Sequence, residues 1–288
     1  MKAYLFPGQG SQQLGMGDDL FQQFPEYVEE AGEVLGYPIT ELCLKDPNST
    51  LNQTQCTQPA LYTVGALDYL RQKKEQGVPD YAAGHSLGEY TALFAAGAFD
   101  FATGLKLVQK RGELMAQASG GGMAAIIGLE VEKIQSVIDN NNWAGVQVAN
   151  YNAPSQTVIT GPAELVHQSK AAFEESGCQM FIPLKVSGAF HSSLMQTAQT
   201  TFADFIASFS FGSLDFPVIS NVQARPYSED KISELLTQQI THSVQWTDSI
   251  RYLMGKEVDS FEEMQPGKVL TGLVRRIQRE ASPLVFED

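Results

Sequence analysis

The sequence predicts an α/β fold with a mostly parallel sheet and a smaller domain inserted into it. Two short apolar segments, Lys2–Phe6 and residues 80–83, each run into a glycine-rich turn that is followed by a helix-like segment. After residues 120–122, which are three glycines, the pattern of strands and helices changes. The chain has 288 residues, of which 43% are hydrophobic and 18% charged. This length and composition allow one large core together with a smaller unit.

The first part of the chain alternates strands and helices, as a parallel sheet requires. Apolar residues at a spacing of three between residues 58 and 74 mark a helical stripe, and the Ala-rich segment 90–98 favours a tightly packed helix. We predict strands over residues 2–6 and 80–83, and helices over residues 14–27, 58–74, 90–98 and 101–118.

The segment that follows the three glycines has a different order of elements. We predict strands over residues 123–129, 146–150, 156–160 and 180–186, and helices over residues 131–140 and 163–176. This βαββαβ order is that of a ferredoxin-like unit. We therefore assign residues 123–187 to a small domain, and residues 1–122 and 188–288 to a large domain. In the large domain we further predict helices over residues 192–208, 231–241, 247–254 and 268–279 and a strand over residues 217–220.

Charge and cysteine usage limit the class of function. The formal net charge of -14 argues against nucleic acid or an anionic membrane as partner, because both attract basic surfaces. Cys43, Cys56 and Cys178 are widely spaced and odd in number, which fits neither a disulfide framework nor a zinc motif. The apolar run at residues 1–6 is too short for a signal peptide. We therefore expect a cytoplasmic protein without a metal site.

The turn Gly84-His85-Ser86-Leu87-Gly88 lies between a predicted strand and a predicted helix. Gly-x-Ser-x-Gly in this context is typical of a nucleophile elbow, in which a sharp turn projects the serine hydroxyl. The helix that follows would direct the backbone amide of Leu87 towards an oxyanion on the attacked carbonyl. The alternative is a tight turn that requires glycines for its geometry alone. We favour Ser86 as a nucleophile.

A serine nucleophile requires a base, and the chain contains four histidines. The His85 side chain should point away from the hydroxyl of its neighbour, His167 lies on a polar helical face, and His242 lies in a loop. His191 follows a buried strand and precedes a helix, as an active-site residue does, although it could be an ordinary loop histidine. We predict that His191 is the base. A backbone carbonyl could orient it, but spacing does not identify which one.

Arg111 lies on an otherwise apolar side of a predicted helix. A buried guanidinium needs an anion, and its planar fork matches a carboxylate. On the residues alone, the default partner is a protein carboxylate such as Glu113 or Glu89.

Five motifs occur in a specific order along the chain. They are FPGQGSQ at residues 6–12, TQPAL at 57–61, GHSLGEY at 84–90, KRG at 110–112 and PGKVLTGL at 266–273. Together they closely resemble the malonyl-CoA:acyl-carrier-protein transacylases, over residues 3–277. The resemblance implies an α/β-hydrolase-like large domain, malonyl-CoA and a phosphopantetheinylated acyl carrier protein as substrates, and no permanently bound cofactor. We further expect a monomer.

The resemblance also implies a role for individual residues. Ser86 would carry the acyl group, His191 would be its base, and the backbone carbonyl of Gln239 would hold the imidazole. The amides of Gln9 and Leu87 would form the oxyanion hole, and Arg111 would bind the malonyl carboxylate. The remaining residues with an implied role line the substrate pocket: Gln58, Met115 and Asn152.

Two positions depart from the common pattern of this family. Phe190 stands where members of fatty-acid pathways often carry Ser, and Ala189-Phe190-His191 resembles the malonyl-selecting form in polyketide synthase acyltransferases. Gln265 stands where a Gly commonly precedes Pro266-Gly267. We therefore expect Phe190 to contact substrate and the enzyme to serve a polyketide assembly line in trans, with fatty acid synthesis as the other possibility.

Two other functions stay open at this level. One is a hydrolase of the same fold that clears acyl chains from carrier proteins, and the other is a catalytically silent module that docks carrier proteins. Arg111 argues against the first, because a hydrolase of uncharged acyl groups has no use for a buried guanidinium. The set Ser86, His191 and Arg111 argues against the second.

Overall fold

The computed structural model describes residues 1–186 and 188–285. The strands are β1 (Lys2–Phe6), β2 (Tyr81–Gly84), β3 (Gly121–Ile127), β4 (Gln147–Ala153), β5 (Gln156–Pro162), β6 (Met180–Pro183), β7 (Val218–Ile219) and β8 (Ser260–Glu263). The α-helices are α1 (Asp18–Gln23), α2 (Pro25–Leu35), α3 (Ile39–Leu44), α4 (Thr54–Gln76), α5 (Gly88–Ala95), α6 (Phe101–Ala116), α7 (Val131–Asn140), α8 (Ala163–Glu175), α9 (Gln196–Ile206), α10 (Ile232–Gln238), α11 (Trp246–Gly255) and α12 (Val269–Glu280). Short 3₁₀ turns cover Ser193–Met195 and Glu229–Lys231.

One sheet is parallel, in the order β7-β2-β1-β8. Its central strand β1 is apolar almost throughout because both of its faces are covered, as is usual in parallel sheets. Tyr4 and Phe6 belong to a core cluster that includes residues of α4, α5 and α6. Ala3 and Leu5 point to the opposite face, where they join a cluster that includes residues of α11 and α12.

The carboxyl ends of β1 and β2 are in register, with Phe6 opposite Gly84. The backbone N–H of His85 donates to the carbonyl of Phe6 at 2.9 Å, one residue beyond the strand. The turn after β1 and the turn after β2 therefore leave the sheet side by side.

The second sheet is antiparallel, in the order β4-β5-β3-β6, with α7 and α8 packed on one face. Side chains alternate along β3, as the pleat requires. Ala124 and Ile126 face the two helices, whereas Met123 and Ala125 join the main core cluster. This arrangement confirms the predicted α/β class with a separate βαββαβ sheet. The residue limits of the two domains stay a prediction.

Several predicted elements differ from the observed ones. Instead of one helix over residues 14–27 there are α1 and α2, because Gly15 and Gly17 have φ of 89° and 80° and Pro25 starts a new helix. Helix α3 and strand β8 are absent from the prediction. The half-buried sequence Ser-Phe-Glu-Glu of β8 lacks the β-branched residues that mark a strand. Within residues 1–186 and 188–285, no helix is both long and apolar enough to cross a membrane.

Candidate active site

Ser86 lies in a strained turn between β2 and α5. Its φ is 51°, in the left-handed region that non-glycine residues rarely adopt. The two flanking glycines make this turn possible. A Cβ on Gly88 would lie 2.0 Å from the carbonyl oxygen of Phe6, and one on Gly84 would lie 2.0 Å from the backbone of Gly88. The glycines thus permit close packing against β1, and the serine is held at the edge of the parallel sheet.

The hydroxyl of Ser86 contacts the imidazole of His191. Ser86 Oγ lies 2.8 Å from His191 Nε2, and His191 Nδ1 lies 2.8 Å from the backbone carbonyl of Gln239. A carbonyl can only accept, so Nδ1 carries the proton and Nε2 offers its lone pair to the serine hydroxyl. This is the tautomer that a general base requires.

Burial lowers the pKa of His191 to about 3, and the nearby positive charge of Arg111 acts in the same direction. The hydrogen bond to the Gln239 carbonyl opposes both effects. His191 is 4% exposed. At neutral pH the imidazole is therefore uncharged and able to accept a proton.

Arg111 lies on α6 and is fully enclosed, with 1% of its surface exposed. Its Nη1 donates to Gln58 Oε1 at 2.8 Å. Its Nη2 donates to Gln239 Oε1 at 2.8 Å and to Ser86 Oγ at 3.1 Å. These three acceptors are neutral, so the guanidinium has no direct carboxylate partner among the described residues, in contrast to the default expectation of Glu113 or Glu89. Its Nε–H has no hydrogen-bond partner there either.

The side chain of Gln239 links three groups of the site. Its Oε1 accepts from Arg111, whereas its Nε2 donates to the backbone carbonyl of Ser86 at 2.8 Å and to Glu89 Oε2. Sequence reasoning assigned only the backbone carbonyl of this residue. It named Glu89 only as a possible direct partner of Arg111 and did not predict its contact with Gln239, because the position of residue 239 relative to α5 depends on the tertiary fold.

Asn221 is a further residue that sequence reasoning missed. It follows β7, and its Oδ1 accepts from the Ser86 backbone N–H at 2.7 Å while its Nδ2 donates to the Gly84 carbonyl at 2.6 Å. Both bonds hold the elbow. The available signal was a polar residue, Asn221, directly after the strand predicted over residues 217–220, since the ends of parallel strands meet at one edge.

The two predicted oxyanion donors lie beside Ser86. Gln9 and Leu87 line the same cleft as Ser86 and His191. Among the described residues, neither backbone N–H donates a hydrogen bond within the protein. Gln9 is placed by its turn after β1, and its side-chain Nε2 donates to Thr54 Oγ1 at 3.2 Å. Two free amides near the hydroxyl are what an oxyanion hole needs.

One wall of the cleft comes from α4, α6 and the segment before His191, and the other comes from the antiparallel sheet. Gln58, Met115 and Phe190 line it, and Gln58 Nε2 also contacts Met115 Sδ at 3.4 Å. The residues that line it from the antiparallel sheet and its margin are Met123, Asn150, Leu184 and Val186. Sequence reasoning missed this group, although Asn150 lies two positions from the predicted Asn152 on the same strand and could have been found by alternation.

Asn152 does not reach the cleft around Ser86. It lines a second, adjoining cavity that also contains Gln9, Asn150 and Leu184. Its Oδ1 accepts from His85 Nε2 at 2.8 Å, and the His85 ring lies 5.4 Å from the ring of Trp246. Nε2 is therefore engaged as a donor, and burial lowers the pKa of His85. His85 thus contacts the antiparallel sheet, not the serine hydroxyl.

Comparison with known sequences identifies the family. The model of the acyl transferase domain matches residues 3–285. The polyketide biosynthesis malonyl CoA-acyl carrier protein transacylase BaeC of Bacillus velezensis is 53% identical over 98% of this chain and 99% of its own length. The polyketide biosynthesis protein PksE of Bacillus subtilis is 51% identical over 99% of this chain, which spans only 38% of that protein.

Solved structures agree with this relationship. The malonyl CoA-acyl carrier protein transacylase of Burkholderia pseudomallei superposes with a TM-score of 0.95 at 47% identity, over 98% of this chain and 99% of that one. The malonyl-transacylase PlMCAT, solved in complex with the type II PKS acyl-carrier protein AntF, gives a TM-score of 0.92 at 37% identity, over 100% and 96% of the two chains. The predicted family is thereby confirmed: this chain belongs to the acyl transferase domain family, among the malonyl CoA-acyl carrier protein transacylases.

Proposed function

We propose that this chain transfers a malonyl group from malonyl-CoA to the phosphopantetheine thiol of an acyl carrier protein, through an ester on Ser86. One observation carries the choice of acyl group. Arg111 is buried, its Nη2 lies 3.1 Å from Ser86 Oγ, and its described partners are neutral. A cation in this position selects an acyl group that ends in a carboxylate. The names of BaeC and of the solved relatives support the same substrates.

In the first half-reaction, His191 Nε2 accepts the proton of Ser86 Oγ as Oγ attacks the thioester carbonyl. The resulting oxyanion is stabilised by the amides of Gln9 and Leu87. The protonated imidazole then delivers its proton to the leaving sulfur of coenzyme A, and the Ser86 ester remains. In the second half-reaction the carrier thiol gives its proton to His191 and its sulfur attacks this ester; the bond between Ser86 Oγ and the acyl carbon then breaks, and His191 returns the proton to Oγ. The cycle requires no metal or permanently bound cofactor, because each role belongs to a residue of this chain.

Arg111 also makes the pKa of His191 depend on which acyl group is bound. Its charge is one of the causes that lower the pKa of His191. When a malonyl carboxylate pairs with the guanidinium, that charge is compensated and the pKa of His191 rises towards its ordinary value. The base is therefore strengthened when the correct acyl group is bound. A neutral acyl group does not provide this effect.

The second cavity suits the pantetheine arm of either thiol substrate. It joins the cleft through Gln9, Asn150 and Leu184 and is open to solvent. Helix α12 contributes Val269 and Leu273 to its lining, and Arg276 on the same helix donates to Gln156 Oε1 at 3.1 Å at this cavity. A cavity lined by both apolar and polar residues, with a cation at its margin, fits an extended arm that carries amides and ends in a phosphate.

We assign the pathway to polyketide rather than fatty acid synthesis. Support comes from Phe190, which is buried in the cleft beside His191, and from the polyketide designation of BaeC and PksE. Action on a carrier protein in trans, a monomeric state and a cytoplasmic location stay predictions. The three cysteines are unpaired, which is consistent with a reducing compartment.

The substitution Arg111→Ala tests the proposed function. We expect malonyl transfer to a holo carrier protein to fall in kcat/KM by about a hundredfold, since a charged hydrogen-bond donor to the substrate is lost. Acetyl transfer should change by less than about threefold. The exposed Lys106→Ala on the same helix is the matched control. Thioester product and free malonate are measured in the same assay. If the native protein released mainly free malonate, or if Arg111→Ala lowered malonyl and acetyl transfer equally, the proposal would be refuted.

A further inference from the structure

Glu89 is a buried carboxylate that the proposed cycle does not use. It lies on α5, three residues after Ser86, and none of its surface is exposed. Burial raises its pKa to about 7. A buried carboxylate is costly unless its oxygens are fully hydrogen-bonded, so its partners indicate what it does.

The two oxygens of Glu89 reach two parts of the site. Oε1 accepts from the Asn221 backbone N–H at 2.8 Å and from the Tyr227 hydroxyl at 2.7 Å. Oε2 accepts from Gln239 Nε2. Asn221 holds the elbow of Ser86, and Gln239 holds both His191 and Arg111. One side chain thus connects the nucleophile turn with the segment that orients the base.

The contacts of Gln239 allow one orientation of its amide. The ionised carboxylate of Glu89 and the Ser86 carbonyl can only accept hydrogen bonds, and Arg111 can only donate them. Nε2 must therefore face Glu89 and Ser86, and Oε1 must face Arg111. The Ser86 carbonyl and Arg111 already require this orientation, and the Glu89 carboxylate adds a second, charged acceptor that holds Nε2 in place.

We propose that Glu89 is a positioning residue for the malonyl group: its carboxylate fixes the amide of Gln239, which in turn holds Arg111 beside Ser86. This proposal rests on the proposed function for the identity of the bound anion. It assigns Glu89 a role in substrate selection that does not involve contact with substrate.

The isosteric substitution Glu89→Gln exposes this role. The new amide can keep its oxygen towards Asn221 and Tyr227, but its NH₂ then opposes the NH₂ of Gln239. If Gln239 rotates to relieve this, its NH₂ opposes Arg111. If the new amide rotates instead, its NH₂ opposes the Asn221 backbone N–H. Each arrangement leaves two donors facing each other. Displacement of Gln239 releases Arg111 and lowers malonyl transfer selectively, as the proposal requires, whereas displacement of Asn221 would disturb the elbow and lower the transfer of both donors.

Charge alone predicts the opposite result. Removal of a negative charge near Arg111 leaves the guanidinium less compensated and would strengthen its attraction for an anion. A fall in malonyl affinity therefore indicates positioning, whereas a rise indicates that Glu89 serves only to balance charge.

The test compares native protein with Glu89→Gln and Tyr227→Phe at pH 8, above the pKa of Glu89. For Glu89→Gln we expect the KM for malonyl-CoA to rise about tenfold, with acetyl transfer within about twofold of native. Tyr227→Phe removes one hydrogen-bond donor to Glu89 but places no two donors against each other. Its ratio of malonyl to acetyl transfer should therefore stay within about twofold of the native ratio. Equal losses for both donors, or a lower malonyl KM, in Glu89→Gln would overturn the proposal.

A double-mutant cycle with Gln239→Met tests whether Glu89 acts through Gln239. The backbone carbonyl of residue 239 is retained in this variant. If the two residues act as one unit, the double variant loses no more malonyl selectivity than the worse single variant. Independent, additive losses would contradict the relay.

Equilibrium binding of monomethyl malonate, measured by calorimetry, separates this proposal from the proposed function. Native protein should bind this anion about tenfold more tightly than Glu89→Gln. If native protein binds monomethyl malonate about tenfold more tightly than Glu89→Gln but transfers no malonyl group, the proposed function fails and the positioning role stands. If the affinities of the two proteins are equal, or native protein binds no anion, the positioning role is wrong, whatever the transfer assay gives.

Discussion

The parallel and the antiparallel sheet contribute to the site in different ways. The carboxyl ends of β1, β2 and β7 are followed by Gln9, Ser86 and Asn221, and all three residues lie at one edge. The antiparallel sheet supplies wall residues such as Met123 and Asn150 and contains neither Ser86 nor His191. Parallel strands bring equivalent ends together, whereas antiparallel strands alternate their ends. Chemistry is therefore concentrated on the first sheet and shape on the second.

Hydrogen bonds nevertheless join the antiparallel sheet to the segment that orients His191. Strand β4 exchanges backbone hydrogen bonds with Val244, through Tyr151 N to Val244 O at 3.0 Å and Val244 N to Ala149 O at 2.8 Å. Ser243 Oγ also donates to the Val148 carbonyl at 2.6 Å. These residues follow Gln239 by four or five positions. The wall of the cleft is thus held in register with the segment that orients His191.

The largest effect should come from the nucleophile of the parallel sheet. Ser86→Ala should lower malonyl transfer by at least about a thousandfold and abolish the covalent adduct, because no other hydroxyl replaces Oγ beside His191. Mass spectrometry of the intact protein after incubation with malonyl-CoA measures the adduct. Met123→Ala, in the opposite wall, should retain it. An adduct on the Ser86→Ala protein would place the nucleophile elsewhere.

A substitution at the close contact between β1 and the elbow should have the second largest effect, in this case on stability. Gly88→Ala would bring a Cβ within 2.0 Å of the Phe6 carbonyl oxygen, so the variant should lose more than about 3 kcal/mol in its free energy of unfolding. Gly272→Ala is the control. No heavy atom lies within 4 Å of its new Cβ in α12, so this variant should gain up to about 1 kcal/mol. Urea unfolding measures both, and similar values for the two would contradict the packing.

A contact from the antiparallel sheet should matter less for the rate. Asn152→Ala leaves His85 Nε2 buried without its acceptor, which should cost about 1–3 kcal/mol of stability. We expect kcat for malonyl transfer to change by less than about tenfold, because Asn152 lies outside the cleft. Exposed Asn48→Ala is the control for thermal unfolding. A loss in kcat as large as that of Ser86→Ala would remove the distinction between the two sheets.

The smallest effect concerns stability and pH. The native pKa of His191, about 3, is below its ordinary 6.5, so the unfolded chain binds more protons in this range and stability falls as pH drops from 6.5. The native pKa of Glu89, about 7, is above its ordinary 4.5, so the native state binds more protons and stability rises as pH drops through this range. The two contributions oppose each other between pH 6.5 and 4.5.

Removal of the Glu89 carboxylate should reveal the contribution of His191 to the pH dependence of stability. Glu89→Gln should lose stability between pH 7 and 5 more steeply than native protein, by up to about 1.4 kcal/mol per pH unit. The exposed Glu132→Gln on α7 should follow the native profile. Urea unfolding at several pH values measures the slope. A Glu89→Gln profile that is parallel to the native one would show that the carboxylate is not protonated in this range.

Local patterns predicted much of the fold. The elbow, β1 and the βαββαβ order could all be predicted, because glycine turns, apolar runs and helical spacing depend on residues that are close together in the chain. Strand β8 was missed because its polar sequence is stabilised by pairing with β1 and not by its own propensity. For the site, the motifs indicated Ser86 and Arg111, and comparison of the four histidines indicated His191. Glu89 lies in one of these motifs, but its contact with Gln239 could not be predicted from it, and Asn221 belongs to none of the motifs.

The sequence by itself determined the types of group that carry the chemistry and the family to which the chain belongs. Residue identity fixes which atoms can donate, accept or attack, and ordered motifs fix the relationship. Only the tertiary structure decided the partners. Arg111 bonds to Gln58 and Gln239, not to a carboxylate, and Glu89 reaches it through Gln239, 150 positions away in the chain. Hydrogen bonds depend on distances of about 3 Å between atoms, and folding sets these distances independently of separation along the chain.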